Sequence, residues 1–280
     1  MYDSAGWVSP IDEEGMPLVE EINGYIMICL QVEEKILPAT VVRQELSKRV
    51  KEIEKSENRK MRPREKYSLK DEITAALLPR AFSKFTRIYA YIDTKNNWLI
   101  LGTNNEKKTE KFISMFKKSM EEEIYPFEIK KLSSTLTHWL KHQNYPSSFS
   151  IEKSCMLQDP NKENKIIRCQ EHDLFASSTQ SLIKEGYEAK QLAILWQDRV
   201  NIILSDDFSL SGIKFHDDIK SQTEEMEAET ENQKFHADFL IMSETLSVLF
   251  KDLLDVFIES NKSTGEKSGT GKIVPMTKLA

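Results

Sequence analysis

Two groups of residues have the types and the spacing that metal chemistry requires. His138 and His142 are four positions apart, so on a helix both imidazoles would lie on one side, where a metal ion could bind. No glutamate occupies the metalloprotease position between them and no third ligand is evident, so histidines of a surface or interface are the favoured interpretation. The second group is acidic, as nuclease metal ligands are, and comprises Glu224, Glu225, Glu227, Glu229 and Glu231. These glutamates crowd one polar stretch, which favours a solvated helix.

Other catalytic patterns are weaker. The segment from Gly265 to Lys272 superficially resembles a phosphate-binding loop, but Ile273 replaces the required Ser or Thr and no strand precedes it. Cys29, Cys155 and Cys169 lie far apart, as expected for reduced, buried thiols of a cytosolic protein. No arrangement of nucleophile and base stands out. We therefore expect no enzyme activity, no cofactor and no metal site.

The basic residues, in contrast, are regularly spaced. Five of them recur at intervals of three or four, which predicts one face of a helix: Lys48, Lys51, Lys55, Arg59 and Arg62. The opposite face is apolar and carries Val42, Leu46, Val50 and Ile53. At 1.5 Å per residue the basic ridge would be about 21 Å long, which matches roughly six base pairs of duplex DNA. The alternative is a solvated helix face, as most charge runs are.

The charge distribution supports a partner of negative sign. The chain has a net charge of −6, yet its segment from Arg43 to Lys118 holds 20 lysines and arginines against 10 acidic residues. A local excess of this size suggests that one face meets an anionic partner, and a solubilising role for the charges is the alternative. No apolar run reaches the roughly 18 residues that a membrane span needs, so we expect no membrane partner.

The ridge must be positioned by a pair of helices. Gly24 to Val32 reads as a strand, and a helix is predicted from about Thr40 to the residue before Pro63. Ser68 to Asp71 has the pattern of a capping box and predicts the start of a second helix, which Pro79 ends. We expect residues 39–85 to form a projecting basic helical hairpin.

Strand pairs and helices are predicted on both sides of this segment, which indicates an α+β fold with antiparallel sheets and packed helices. Residues 1–38 with 86–145 are expected to form a first α/β domain, residues 146–260 a second, and residues 261–280 a disordered tail. Two hairpins carry clear alternation, one around the Asn96–Asn97 turn and one around residues 197–199. Further elements are predicted as strands at 149–157, 165–170 and 213–215 and as helices at 105–123, 177–185, 217–231 and 239–257.

Several segments resemble the bacterial recombination-associated RdgC proteins. The most specific is Leu77-Leu78-Pro79-Arg80-Ala81-Phe82-Ser83, and others are Gly6-Trp7-Val8, residues 33–38, residues 68–72, Ile92-Asp93-Thr94, residues 136–139 and residues 238–242. The similarity runs in order from about Gly6 to Glu259. Family members usually begin with a further strand and helix, so we expect this chain to lack part of its first domain. They also often carry basic residues after the Ile-Arg of the second half, where this chain has Cys169, Gln170, Glu171 and His172.

The resemblance implies a dimer closed into a ring around double-stranded DNA, with single-stranded DNA as another candidate ligand. It implies binding without sequence preference, association with the nucleoid in the cytoplasm, and restraint of strand exchange in competition with a recombinase filament. The ridge residues are the first candidates for phosphate contacts, followed by Arg80, Lys84, Lys117 and Lys118. Phe82 has two interpretations, an aromatic anchor in the dimer interface or a core residue under the turn. A metal-dependent nuclease and a protein-binding regulator that acts through the acidic half remain alternatives.

Overall fold

The computed structural model of the 280-residue chain describes residues 3–13, 15–121, 124–126, 129, 132–224, 230–262, 273–274 and 276–277. The described strands are β1 (Asp3–Val8), β2 (Val19–Ile22), β3 (Tyr25–Ile36), β4 (Phe82–Asp93), β5 (Trp98–Gly102), β6 (Tyr125–Pro126), β7 (Phe149–Asp159), β8 (Lys162–Cys169), β9 (Glu188–Trp196), β10 (Val200–Ser205), β11 (Leu210–Phe215), β12 (Ile273–Val274) and β13 (Met276–Thr277). The described helices are α1 (Ala39–Ser56), α2 (Pro63–Leu77), α3 (Glu106–Met120), α4 (Leu132–His142), α5 (Ser177–Lys184), α6 (Asp217–Glu224) and α7 (Glu231–Lys262). The fold class is α+β, as predicted.

The chain divides into two compact units. The first comprises Met1–Val8 and Leu30–Arg87, and the second comprises Ser9–Cys29 and Ile88–Ala280. Strands β3 and β4 each contribute residues to both units. Within the first unit, β3 lies between β1 and β4. Glu33 on β3 accepts hydrogen bonds from Ser4 and Ser83, and Lys35 donates to Ser83 at 2.8 Å. Side-chain hydrogen bonds therefore join these strands in addition to their backbone hydrogen bonds.

Helices α1 and α2 pack against each other in the first unit through a small apolar cluster. Val42, Leu69 and Ile73 are its buried residues. Partly buried side chains surround them, namely Leu37, Leu46, Val50, Ile53, Met61 and Leu77. The predicted apolar stripe of α1 therefore faces α2, and the opposite side of α1 is turned to solvent.

The structure corrects both predicted boundaries between these helices. The basic periodicity predicted one helix to the residue before Pro63, but α1 ends at Ser56 and Asn58 adopts a left-handed conformation with φ 50°. The second helix was expected to start at the Ser68 pattern, but α2 begins at Pro63. Proline suits the first helical position because its missing N–H has no partner there in any case. Ser68 to Asp71 is consequently the middle of α2.

A second sheet region, with its own core, makes up most of the second unit. Its strands follow in the hydrogen-bonded order β4, β5, β13, β11, β10, β9, β7, β8. The hairpins β4–β5, β9–β10 and β7–β8 are antiparallel, whereas β13 pairs in parallel with both β5 and β11. The two hairpins with clear alternation in the sequence, β4–β5 and β9–β10, are confirmed. In β9 and in most of β10, buried side chains alternate with partly buried ones, whereas four consecutive residues of β5, Trp98 to Leu101, are buried, so both sides of that strand are covered.

Helices α4 and α7 supply the other half of this core. Leu136, Trp139 and Leu140 of α4 and Leu246, Phe250 and Phe257 of α7 are buried with the apolar side chains of the strands. Trp139 stacks on Phe257 with ring centroids 5.6 Å apart. The indole N–H of Trp196 donates to Asp252 at 2.8 Å, which satisfies a polar atom that burial would otherwise leave without a partner.

Some expectations fall on residues that the structure leaves undescribed. Of the acidic stretch, residues 225–229 lie outside the described residues, and the remainder splits between α6 and α7. Of the expected disordered tail, residues 263–272, 275 and 278–280 lie outside them, while β12 and β13 are short described strands. Strands β1 and β2 and helix α4 have no counterpart among the predicted elements. None of the helices in the described ranges has the length and apolar character that crossing a membrane requires.

Candidate nucleic-acid interface

The solvent-facing side of α1 presents three lysines to solution. Lys48, Lys51 and Lys55 are exposed, and their spacing of three and four residues keeps them on one side of the helix. In the described parts of the chain none of them forms an ion pair. We call this set the α1 lysine face. Because its ammonium groups have no carboxylate partner, they are available to phosphate oxygens.

An open surface patch on α1 includes two residues of this face. Its lining comprises Thr40, Arg43, Gln44, Ser47, Lys48, Lys51 and Glu52. Glu52 is the single acidic residue of that lining, and Thr40, Gln44 and Ser47 add short polar side chains that hydrogen-bond to anions without repelling them. A strip of this composition suits a phosphodiester backbone.

Arg43 belongs to this surface and was missed among the candidate site residues. It is exposed and lies at the border between the lysine face and the apolar side of α1 that carries Val42 and Leu46, toward the helix start. The signal was present in the sequence, since Arg43 opened the basic segment. Arg43 precedes Lys48 by five residues, whereas the predicted basic residues follow one another at intervals of three or four residues, so it was left out of that series.

Two acidic neighbours of the lysine face, Glu52 and Glu54, are paired with other cations. Glu52 accepts from Arg49 at 3.3 Å, and Glu54 lies 3.3 Å from the ammonium group of Lys66 on α2. Glu54 also accepts the backbone N–H of Met61, and these bonds hold its pKa below the usual value. Glu52 and Glu54 therefore offset Arg49 and Lys66 rather than the lysines, whereas Glu45, three positions before Lys48, forms no ion pair among the described residues.

Arg59 and Arg62 are placed differently from the prediction because both lie in the connection between the helices. The Arg59 guanidinium is held by two carboxylates, Glu57 at 2.7 Å and Glu65 at 2.9 Å. Arg62 is the N-cap residue of α2, and its backbone N–H donates to Glu65 at 2.7 Å. The hydrogen bonds from Arg59 and from this N–H lower the pKa of Glu65 to about 2. Arg59 thus stabilises the segment between α1 and α2. The predicted continuous helical ridge of five basic residues is therefore not formed.

Arg80, Phe82 and Lys84 lie together where the helix pair returns to the sheet. Arg80 ends a short 3-10 turn after α2, and Phe82 and Lys84 occupy alternate positions at the start of β4, so they project to the same side. All three are exposed, and Phe82 retains 86% of its side-chain accessibility. The interpretation of Phe82 as a core residue under the turn does not fit this exposure.

Lys117 and Lys118 lie in the last turn of α3, in the second unit. Both are exposed, and their position at a helix C-terminus complements the negative end of the helix dipole. They belong to a different unit from the α1 lysine face. Their part in DNA binding stays a prediction.

The histidine pair is on one side of a helix, as its spacing predicted. His138 and His142 are exposed on α4 and their ring centroids are 4.5 Å apart. Within the described ranges, no group of three or more His, Cys, Asp and Glu side chains could hold a metal ion. Of the acidic cluster, Glu225, Glu227 and Glu229 lie outside those ranges.

Comparison with known proteins gives one consistent result. A family model described as "Putative exonuclease, RdgC" matches residues 2–260. Proteins named "Recombination-associated protein RdgC" from Yersinia enterocolitica, Yersinia pestis and Yersinia pseudotuberculosis are each 36% identical to the chain over 252 residues. These alignments cover 89% of this chain and 83% of each relative.

Proposed function

Because the chain belongs to the RdgC family of recombination-associated proteins, we propose that it binds double-stranded DNA without sequence preference and restrains strand exchange by a recombinase. The observation that carries this proposal is the α1 lysine face. Three exposed lysines, with no carboxylate partner among the described residues, line one side of a helix whose other side is anchored on α2. Such a surface is complementary to a regular array of phosphates.

The chemistry of the face favours phosphates over bases. Lysine is a point charge on a flexible stem, so it neutralises a phosphate at any sequence and reads no base edge by itself. Arg43, close to the start of α1, adds a planar guanidinium group that can bind one phosphate with two hydrogen bonds. Binding would release condensed counterions, and the affinity would then fall steeply with salt.

The second part of the proposal is a homodimer closed into a ring, with Phe82 as an anchor in its interface. Phe82 is 86% exposed, and burial of its ring against a second copy would remove a large apolar surface from water. The flanking Arg80 and Lys84 would then lie close to that interface and add phosphate contacts. Lys117 and Lys118 complete the proposed set.

Restraint of recombination would follow from occupancy alone. A protein that covers or encircles duplex DNA obstructs a recombinase filament sterically, and no bond of the DNA needs to be hydrolysed. We place this activity at the nucleoid in the cytoplasm. Single-stranded DNA is a further candidate ligand because its phosphates would meet the same face.

The test is a titration of the full-length protein with two labelled duplexes of unrelated sequence, in rising salt. The proposal expects equal affinities for the two sequences and a linear fall of log K with log salt, with a slope of about −0.9 per phosphate contact. Affinities that differ strongly between sequences, or binding that is insensitive to salt, would contradict it. The latter result would favour a protein-binding regulator.

The description of the matching family favours one other activity, that of an exonuclease. A nuclease of the usual kind would shorten DNA in a metal-dependent reaction. Incubation of an end-labelled duplex with the protein and magnesium, with manganese as a second condition, distinguishes the two. Our proposal expects the label to remain in full-length DNA at protein concentrations that saturate binding.

A further inference from the structure

Two cysteines lie opposite each other on neighbouring strands of the second unit. In the antiparallel register of β7 and β8, Cys155 pairs directly with Cys169. Directly opposed residues of an antiparallel pair have Cα atoms roughly 4.5–5.5 Å apart, inside the range of about 4.4–6.8 Å that a disulfide needs. Directly opposed side chains of an antiparallel pair lie on the same face of the sheet, so the two thiols are neighbours. A bond between the sulfurs would therefore require little movement of the backbone.

The two thiols differ in their access to solvent. Cys155 is buried in the core of the second unit, and burial raises the pKa of its thiol to about 12. Cys169 is only partly buried at the end of β8 and packs against the same core. A small oxidant from solution would therefore react with Cys169 first. Cys155 is the thiol that could then reach the oxidised sulfur of Cys169.

We propose that Cys169 and Cys155 form a peroxide-oxidised thiol pair that closes to an intramolecular disulfide. The Cys169 thiolate attacks one oxygen of a hydroperoxide such as hydrogen peroxide, the O–O bond breaks, and hydroxide leaves and takes up a proton to form water. The sulfur of Cys155 then attacks the sulfur of the Cys169 sulfenic acid, the S–O bond breaks, and a second water leaves with the Cys155 proton. Two thiols and one hydrogen peroxide thus give one disulfide and two waters.

The position of the pair gives the bond a structural consequence. Strand β8 ends the hydrogen-bonded order of the sheet, so it is held on one side only, by β7. A disulfide at the Cys155–Cys169 position would fix this edge strand covalently. Since a cross-link also restricts the unfolded chain, the oxidised protein should melt at a higher temperature than the reduced one.

The test treats the folded, full-length protein with increasing hydrogen peroxide, in the presence of reduced glutathione as an internal comparison. The reaction is quenched, the protein is unfolded in an alkylating agent, and peptides are mapped by mass spectrometry. We expect a Cys155–Cys169 peptide that has lost two hydrogen atoms, that forms before half of the glutathione is oxidised, and that dithiothreitol reverses.

Three variants identify the roles of the thiols. Cys29→Ala, which removes the buried thiol of β3, should leave the disulfide yield unchanged. Cys169→Ala should abolish it, and Cys155→Ala should leave a Cys169 sulfenic acid that dimedone traps. The proposal is wrong if both cysteines remain alkylatable once the glutathione is oxidised. It is also wrong if the disulfide contains Cys29 or joins two chains, or if Cys169 proceeds to sulfinic acid while Cys155 stays reduced.

Discussion

Lys48, Lys51 and Lys55 differ from the other basic residues of the helix pair in what surrounds them. Arg49, Arg59 and Lys66 are each paired with a carboxylate of the same unit, whereas the three lysines have none among the described residues. Paired cations contribute to local structure and little to the field that an approaching DNA molecule meets. The residues that bind DNA are therefore expected to be the unpaired ones, with Arg43 included.

Glu65 gives a prediction about pH. Its pKa is lowered to about 2 by Arg59 and the backbone N–H of Arg62, so its ionised form stabilises the folded state. That contribution is present above the ordinary glutamate pKa of about 4.5 and is lost as the pH falls toward 2. Urea unfolding should show Glu65→Gln to be less stable than the wild type at pH 7, with a difference that shrinks steadily below pH 4.5.

The control for this prediction is Glu72→Gln, at an exposed position on the same helix. It should match the wild type at both ends of the pH range. A stability difference for Glu65→Gln that is the same at pH 7 and pH 3 would mean that the carboxylate is not held by Arg59 in solution.

Phe82 gives a prediction about assembly. Phe82→Ala removes a highly exposed side chain, so the fold of the protomer should survive while the proposed dimer interface loses an anchor. Sedimentation equilibrium should show dissociation that is at least about tenfold more favourable, because truncation of an anchor residue costs about 2 kcal/mol or more. Tyr67→Ala on α2, where the tyrosine is 68% exposed, is the matched control and should leave the assembly unchanged. An intact dimer of undiminished stability would exclude Phe82 as an anchor.

At the scale of elements, the two hairpins with clear alternation could be predicted and the helix pair could be predicted only in part. Alternating side chains define β9–β10, where buried and partly buried positions alternate, and β4–β5 is marked by apolar residues on both sides of the Asn96–Asn97 turn. For α1, the charge spacing that runs through Arg59 and Arg62 agrees with a helix by coincidence. The chain leaves the helix at Asn58, where a left-handed residue and the Arg59–Glu65 contact stabilise a turn.

The start of α2 shows why local patterns compete. Ser68 to Asp71 satisfies the rule for a capping box, yet Pro63 satisfies the rule for a first helical residue five positions earlier. The earlier start is stabilised by Glu65, which accepts from the backbone N–H of Arg62 and from the Arg59 side chain, contacts that the Ser68 pattern does not reveal. Missing β1 and β2 has a similar cause, since their few apolar residues give no alternation strong enough to distinguish a strand.

The helix pair gives a prediction that separates structure from charge. Leu69→Ala leaves a cavity in the small cluster between α1 and α2, and such truncations cost about 2–5 kcal/mol. Hydrogen exchange of the α1 and α2 amides should accelerate, and DNA binding should weaken although no charge has changed. Ala75→Ser, at an exposed position on α2, is the control and should change neither quantity. If hydrogen exchange accelerated while the DNA affinity stayed the same, DNA binding by the lysine face would not depend on the packing of α1 against α2.

For the whole molecule, the acidic net charge of −6 and an affinity for DNA are compatible because the charges are segregated. The basic excess from Arg43 to Lys118 includes the whole α1 lysine face, and the rest of the chain is acidic. Net charge predicts solubility and long-range repulsion, whereas the contact depends on the local field. The sequence therefore placed the candidate site in one segment, but it could not tell which of its cations are unpaired, since ion pairs depend on three-dimensional neighbours.

The proposed restraint of recombination leads to a prediction at this scale. If occupancy of the duplex is what obstructs the recombinase, the rate of strand exchange should fall in proportion to the fraction of duplex that is bound. A strand-exchange assay at several salt concentrations measures this, because salt changes occupancy at a fixed protein concentration. Inhibition that persists at salt concentrations where the duplex is unbound would indicate a direct contact with the recombinase instead.

The measurement that tests the central claim most directly is the salt dependence of duplex binding after charge reversal of Lys48, Lys51 and Lys55 to Glu. We expect affinity for two unrelated duplexes to weaken equally, by at least about tenfold. The slope of log K against log salt should lose about 0.9 for each phosphate contact removed. Reversal of Lys153, Lys162 and Lys184, which are exposed in the second unit, makes the same change in net charge and is the control. Equal losses in the two triple variants, or an unchanged affinity after reversal of the α1 lysine face, would contradict the account.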